Sequence, residues 1–232
     1  MKLRTVLSTL TLCAFIGGSL ESSAQTSFHV DPDASWNGYI NAFELDGTTF
    51  ATGFPDATID LRASFDPGPV LPLNLGLNTR LYDDVVGDPF WVDQITFEAN
   101  KVVEANFYQE VDGLDGQDIT FGYDVLLNTL PAGYSAQGFI KVLDAGAGWA
   151  TVQSTFADLT PGGAGLSLTV GAAIDPRVQA GFYVKGVAIT ATDPVAILAS
   201  VFIVPEPTTF ALAGLGAAAL LIPSFGCLAD SV

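Results

Sequence analysis

The chain has 232 residues, with 25 acidic against 8 basic side chains and a formal net charge of −17. This acidic excess disfavours nucleic acid and anionic membrane surfaces as partners, because their phosphate groups would be repelled. Once the two terminal segments described below are set aside, about 180 residues remain, enough for one domain with a well-buried core.

The first 24 residues have the order of a secretory signal peptide. Lys2 and Arg4 precede the apolar stretch 6–16, and the Ser-Ser-Ala sequence of residues 22–24 supplies the small residues that signal peptidase requires. We therefore expect export, with cleavage after Ala24. Both cysteines, Cys13 and Cys227, fall in the terminal segments, so the exported body contains no internal disulfide.

From residue 25 onward the sequence is typical of β-strands. In the stretch 57–65, apolar residues at 59, 61, 63 and 65 alternate with polar ones, the period of two of a half-buried strand. Further strands are predicted at 91–97, 102–111, 119–127, 134–143, 150–156, 166–170, 178–190 and 195–204. Residues 126–134 also fit a short helical turn.

Turn residues separate these stretches, and the sequence contains no long amphipathic helix. Asp46-Gly47 predicts a tight hairpin, and the DPGP, VGDP and TPGGAG sequences each end a strand. Short strands without crossover helices predict an all-β fold, an antiparallel β-sandwich in a jelly-roll-like arrangement. The stretches FEANKVVEANFYQEVDGLDGQDITFGYDVLLNTL, GFIKVLDAGAGWATVQSTFADL and VQAGFYVKGVAI resemble the galactose-binding-like jelly rolls common among carbohydrate-binding modules. The resemblance implies this fold and transfers no binding residue.

Aromatic side chains are candidates for binding sugar rings, because an aromatic face packs against the C–H surface of a pyranose. The residues considered are Trp36, Tyr39, Trp91, Tyr108, Tyr123, Tyr134, Trp149 and Tyr183, with Trp36, Tyr39, Trp91 and Trp149 as the main candidates. Aromatic residues are also routine core residues of β-sandwiches, so each of these side chains can have a purely structural role. Trp36 and Tyr39 fall on opposite faces of one strand, so one of the two should point outwards.

The sequence VDGLDGQD predicts a cation site. It spaces Asp112, Asp115 and Asp118 three residues apart with glycines between them, so a loop there would place three carboxylates around calcium. Asp-Gly pairs are equally typical of plain hairpin turns. Calcium is thus the one cofactor that the sequence suggests.

Catalytic machinery is scarce in this sequence. His29 is the only histidine, which leaves Ser-His-Asp, Cys-His and zinc sites without ligands or bases. Glycoside hydrolysis needs only two carboxylates, but no pair stands in a recognisable local motif. We predict a protein that is not an enzyme, with an undetected carboxylate glycosidase as an alternative.

The C-terminal segment begins with Val204, Pro205, Glu206 and Pro207, and an apolar run rich in Gly, Ala and Leu follows to residue 222. Residues 207–229 carry no charge. As a helix, residues 210–229 would rise about 30 Å, the thickness of a bilayer's hydrocarbon core. We therefore expect a membrane-inserted C-terminal helix, preceded by an extended, exposed segment because the two prolines forbid helix around Glu206.

The Pro-Glu-Pro sequence and the run after it resemble the PEP-CTERM sorting signal of Gram-negative bacteria that make extracellular polysaccharide. In that family an exosortase, a membrane-embedded processing enzyme, reads the motif and removes the apolar helix. The resemblance implies an exosortase as partner, membrane anchoring, and delivery to the cell surface or extracellular matrix of a Gram-negative bacterium.

These observations predict three regions: a signal peptide at 1–24, a β-sandwich domain at 25–203 and a sorting and transmembrane segment at 204–232. The predicted function is structural or adhesive, at the cell surface or in the extracellular matrix. A carbohydrate-binding module acting on extracellular polysaccharide is the leading alternative.

Overall fold

The computed structural model describes residues 25–67 and 72–206. The predicted signal peptide and the predicted apolar helix after residue 206 lie outside the described residues. The strands are β1 (Gln25–His29), β2 (Asn37–Phe43), β3 (Phe50–Pro55), β4 (Ala63–Phe65), β5 (Leu73–Gly76), β6 (Val102–Asp112), β7 (Asp118–Asn128), β8 (Ser135–Asp144), β9 (Ala150–Asp158), β10 (Ala164–Thr169), β11 (Pro176–Val187) and β12 (Ser200–Val204). The helices are α1 (Arg80–Asp83), α2 (Pro194–Leu198) and the 3-10 turns Thr58–Leu61 and Ala145–Ala147.

These strands form two six-stranded sheets, which confirms the predicted all-β sandwich. Sheet A has the order β1-β7-β12-β5-β4, with β10 also paired to β7, and sheet B has the order β3-β2-β6-β11-β8-β9. The pairing of β1 with β7 is parallel and is the exception among the described strand pairs, which are otherwise antiparallel as predicted. Some ninety residues separate the two strands, and so long a connection imposes no hairpin and permits a parallel pair.

The core lies between the two sheets. Phe121 and Tyr123 of sheet A contact Phe182 of sheet B, with ring centroids 4.9 and 5.1 Å apart. Period-two alternation supplies this core: Val103, Ala105 and Phe107 on β6 are buried, while the residues between them lie on the outer face. A second apolar cluster, around Trp91 and Val92, packs the segment after α1 against β2 and β6.

Three predicted strands need correction. In 57–65 only Ala63–Phe65 is a strand: Thr58–Leu61 is a 3-10 turn, closed by Arg62 at a φ of 58°, and Ile59 is 69% exposed. The stretch 91–97 contributes one bridge, between Val92 and Ala99, because Asp93 accepts hydrogen bonds from the backbone of Ile95 and Thr96 and closes a turn.

The third correction concerns 195–204. Asp193 accepts a hydrogen bond from the backbone of Val195 and Pro194 occupies the first helical turn, so the segment opens as helix α2 and becomes strand only at Ser200. The hairpin predicted at Asp46-Gly47 is confirmed between β2 and β3, where Gly47 has a φ of 69°. Residues 129–134 form a loop without the suggested helical turn.

Candidate functional site

A groove with a volume of about 480 Å³ runs over the outer face of sheet B. We call it the sheet B groove. Its lining residues come from β2, β6, β8, β11 and the start of β9: Tyr39, Asn41, Asn106, Tyr108, Glu110, Lys141, Leu143, Trp149, Thr151 and Gln179. Strand register brings them together, because Tyr39 pairs with Asn106 and Gln179 pairs with both Glu110 and Lys141 across neighbouring strands.

An aromatic cluster lies beside the groove on the same outer face of sheet B. Phe139 occupies an outward position of β8 but is 0% exposed, because other rings cover it. Its ring centroid lies 6.5 Å from Tyr108, 6.4 Å from Tyr183 and 6.5 Å from Phe156. The outer face of sheet B therefore has its own apolar packing next to the groove, and Tyr108 belongs to both.

Lys141 lines the groove and contacts this aromatic cluster. Its Nζ lies 4.2 Å from the centroid of the Phe139 ring and donates a hydrogen bond of 3.3 Å to the side-chain oxygen of Asn106 on β6. Burial removes water from the ammonium group and lowers the pKa of Lys141, an effect that the negative charge of Glu104 partly opposes.

Hydrogen bonds hold the polar side chains of the groove in place. Asn41 and Asn106 both donate to Glu104, at 3.0 and 3.3 Å, and Gln179 donates to Glu110 at 2.6 Å. Burial, helped by the nearby charge of Glu110, raises the pKa of Tyr108, so its hydroxyl stays protonated and remains a donor.

The structure divides the predicted sugar-binding aromatics into two pairs. Tyr39 and Trp149 line the groove, and Trp149 is 56% exposed. Trp36 instead stacks on Phe107 of the core, at 4.2 Å and 4° between planes, and Trp91 is buried. The expected opposite orientation of Trp36 and Tyr39 is thus confirmed.

Sequence reasoning missed Asn106, Lys141 and Gln179. Each stands at an outward position of a long strand, and outward polar positions are ordinary in solvated sheets, so only the neighbours across the sheet reveal their role.

The three aspartates of the calcium prediction have separate partners. Asp112 forms an ion pair with Arg177, Asp115 accepts a hydrogen bond from the backbone of Ala173, and Asp118 accepts one from the Thr169 hydroxyl. Within residues 25–67 and 72–206, no three His, Cys, Asp or Glu side chains lie close enough to hold a metal ion. Their placement therefore lends the calcium hypothesis no support.

The sorting motif begins inside sheet A. At Asp124, β7 pairs with Ala164 of β10 on one edge and with Val204 of β12 on the other. At Ile119, β7 pairs with β10 on the first edge and with β1 on the second. Strands β1 and β12 therefore lie along the same edge of β7. They run towards each other, because β1 is parallel to β7 and β12 is antiparallel to it. The chain must therefore leave the sheet at Pro205.

The motif is also less exposed than the sequence predicts. Val204 is buried and Pro205 and Glu206 are half-buried, while Pro207 lies outside the described residues. A Cβ added to Gly122 or Gly165 would come 3.1 or 2.9 Å from a carboxylate oxygen of Glu206, which therefore lies closely against both glycines. The predicted exposed segment is therefore only half-exposed at Pro205 and Glu206, because the last strand runs directly into the motif.

Comparison with known families identifies this segment. Residues 204–222 match the PEP-CTERM protein-sorting motif. PEP-CTERM signals are processed by exosortase, so the motif implies an exported, membrane-associated protein with that enzyme as a partner. Searches of curated proteins and of solved structures return no match to the chain. Across the described ranges, no helix is both long and apolar enough to cross a membrane.

Proposed function

We propose that this exported protein is an adhesive component of the cell surface or extracellular matrix, and that it binds polysaccharide in the sheet B groove. The observation that carries the proposal is the convergence of Tyr39, Tyr108 and Trp149 with amide side chains in one groove on a rigid sheet. Aromatic faces and amides are the two kinds of contact that a sugar ring needs, for its C–H surface and for its hydroxyls.

The groove suits a polymer better than a small metabolite. It lies on the outer face of a sheet rather than inside an enclosed pocket, and its lining alternates rings with hydrogen-bonding groups over four neighbouring strands and the start of β9. Its amides are already held by Glu104 and Glu110, so little side-chain ordering is needed when a ligand binds.

Binding is favoured over hydrolysis by the groove's composition. Glu110 is the one carboxylate among its lining residues, and it already accepts a hydrogen bond from Gln179. Glycoside hydrolysis requires two carboxyl groups flanking the bond, separated by about 5 to 9.5 Å. This composition supports a binding protein.

The proposal is tested by retention of the full chain, purified in detergent, in affinity gels that contain soluble polysaccharides. We expect retention by at least one polymer, weakened about tenfold by Trp149→Ala, because a central aromatic contact contributes more than about 1 kcal/mol. Phe50→Ala is the matched control, since Phe50 is 60% exposed and lies outside the groove. Equal retention of the parent and Trp149→Ala would reject the groove as the binding site.

A further inference from the structure

The sheet B groove contains a positive charge that has no carboxylate partner. Four of the six basic side chains between residues 25 and 206 form ion pairs: Arg80, Lys101, Arg177 and Lys185. Lys141 forms none with any described carboxylate. In a body that contains 22 acidic residues, a lysine left unpaired inside a groove is unusual and points to a ligand.

The contacts of Lys141 leave most of its hydrogen-bonding capacity free. An ammonium group has three donors, and the residues that the structure describes supply one acceptor, the side-chain oxygen of Asn106. The rings of Phe139 and Phe156 attract the positive charge but accept no strong hydrogen bond. The rings and the Asn106 amide hold the ammonium group in the groove, and an oxygen-bearing anion would complete its coordination.

We propose that the groove selects acidic polysaccharide, and that the carboxylate of a uronic acid unit pairs with the Nζ of Lys141. The inference rests on the proposed function and specifies its ligand class. Sugar rings stack on the exposed aromatic side chains, and the carboxylate is held by the one unpaired cation of the lining. A neutral sugar offers Lys141 only hydroxyl groups, which lack the negative charge that a carboxylate adds to its hydrogen bond with an ammonium.

The net charge of the protein gives this binding a distinct dependence on salt. At long range the acidic body repels a polyanion, and this repulsion between solvated charges is screened over about 8 Å at 0.15 M salt. The pair between Lys141 and the uronate lies in a partly desolvated groove and is screened less. Affinity for an acidic oligosaccharide should therefore hold constant or rise between low and physiological salt, whereas ordinary binding to basic patches weakens.

The test uses calorimetric titration of the full chain in detergent with two probes. One is a set of galacturonate oligomers, and the other is the same set after chemical reduction of its carboxyl groups, which removes the charge and keeps the rings. We expect the parent to bind the acidic oligomers about tenfold more tightly. Lys141→Met should abolish that preference by lowering the affinity for the acidic oligomers about tenfold, and Lys141→Arg should keep the preference.

The matched control is Arg62→Met. It removes one positive charge from an exposed residue that forms no ion pair with any described carboxylate and lies outside the groove. It should bind both probes as the parent does, which separates a local contact from an effect of net charge.

Two kinds of failure are distinguishable. Equal binding of acidic and reduced oligomers by the parent overturns the selection of uronate without any variant, and leaves polysaccharide binding intact. A preference for the acidic oligomers that persists in Lys141→Met also overturns the selection by Lys141. If neither probe binds the parent, and no neutral polymer binds it either, the proposed function is overturned as well.

Discussion

The two sheets of this sandwich use their outer faces differently. On sheet B, rings and amides from neighbouring strands form a groove, and Lys141 lines it and contacts the ring of Phe139. On sheet A, the first strand of the body and the last strand before the sorting motif meet on one edge of β7, and Glu206 rests against two glycines. No described residue of the sorting motif lines the groove. The described part of the sorting motif and the sheet B groove thus lie on opposite faces of the sandwich, with the shared core between them.

The largest expected effect concerns the last strand of sheet A. Ile203 is 0% exposed and lies on β12 between β5 and β7, so Ile203→Ala should lower the free energy of unfolding by about 3 kcal/mol through lost burial and a cavity. Urea denaturation of the full chain measures the loss. The exposed Val152→Ala on β9 is the control and should change it by less than about 0.5 kcal/mol. A small effect at Ile203 would mean that β12 belongs to the tail rather than to the body.

A second prediction sets two tryptophans against each other. Trp36 stacks on Phe107, so Trp36→Ala should lower the free energy of unfolding by about 3 kcal/mol. Trp149 is 56% exposed in the groove, so Trp149→Ala should cost less than about 1 kcal/mol while weakening polysaccharide binding. Thermal unfolding and affinity gels give the two readouts. The division between core and groove fails if both variants lose stability equally.

Replacing Lys141 should have a smaller effect on the free energy of unfolding, and should raise it rather than lower it. Burial lowers its pKa in the folded state, so the unfolded chain binds more protons between that pKa and the ordinary lysine value. The free energy of unfolding therefore rises with pH across this window, and the full cost of the buried charge is present only below the folded-state pKa.

Lys141→Met should remove that cost and raise the melting temperature at pH 7 by roughly 3 °C, equivalent to about 1 kcal/mol. The gain over the parent should shrink as the pH rises through the folded-state pKa of Lys141, because the buried lysine then becomes neutral. A melting temperature below that of the parent at pH 7 would show that Lys141 stabilises the groove and is not held there at a cost.

The smallest effect concerns calcium. The three aspartates Asp112, Asp115 and Asp118 have separate partners, so we expect EDTA to shift the melting temperature of the full chain by less than about 1 °C. Asp115→Ala should respond to EDTA as the parent does. A larger shift in the parent that Asp115→Ala abolishes would restore the calcium site.

The fold was largely predictable because its strands are long and half-buried. On β6, β7, β8 and β11 the period of two persists over ten or more residues, and each predicted strand overlaps the observed one to within about three residues at its ends. The errors lie where short polar side chains bind their own backbone. Asp93 and Asp193 turn apolar sequences into a loop and a helix through hydrogen bonds that a pattern of hydrophobic residues does not register.

The candidate site was only partly predictable. Tyr39 and Trp149 were named from their residue type, but nothing local distinguishes them from Trp36 and Trp91, which are buried. In the sequence, Lys141 occupies an outward strand position like many other polar residues. Its position in the groove becomes visible only through its contact with Asn106, which is 35 residues away in the chain.

The sequence by itself determined the class of fold, the acidic surface and the linear sorting motif. Each of these follows from composition or from the pattern of residues close together in the chain. The tertiary structure decided which rings form the groove, that Lys141 pairs with no described carboxylate, and that the motif begins at the end of a central strand. These depend on which strands become neighbours, and strand order is set by burial summed over the whole sandwich rather than by any one segment.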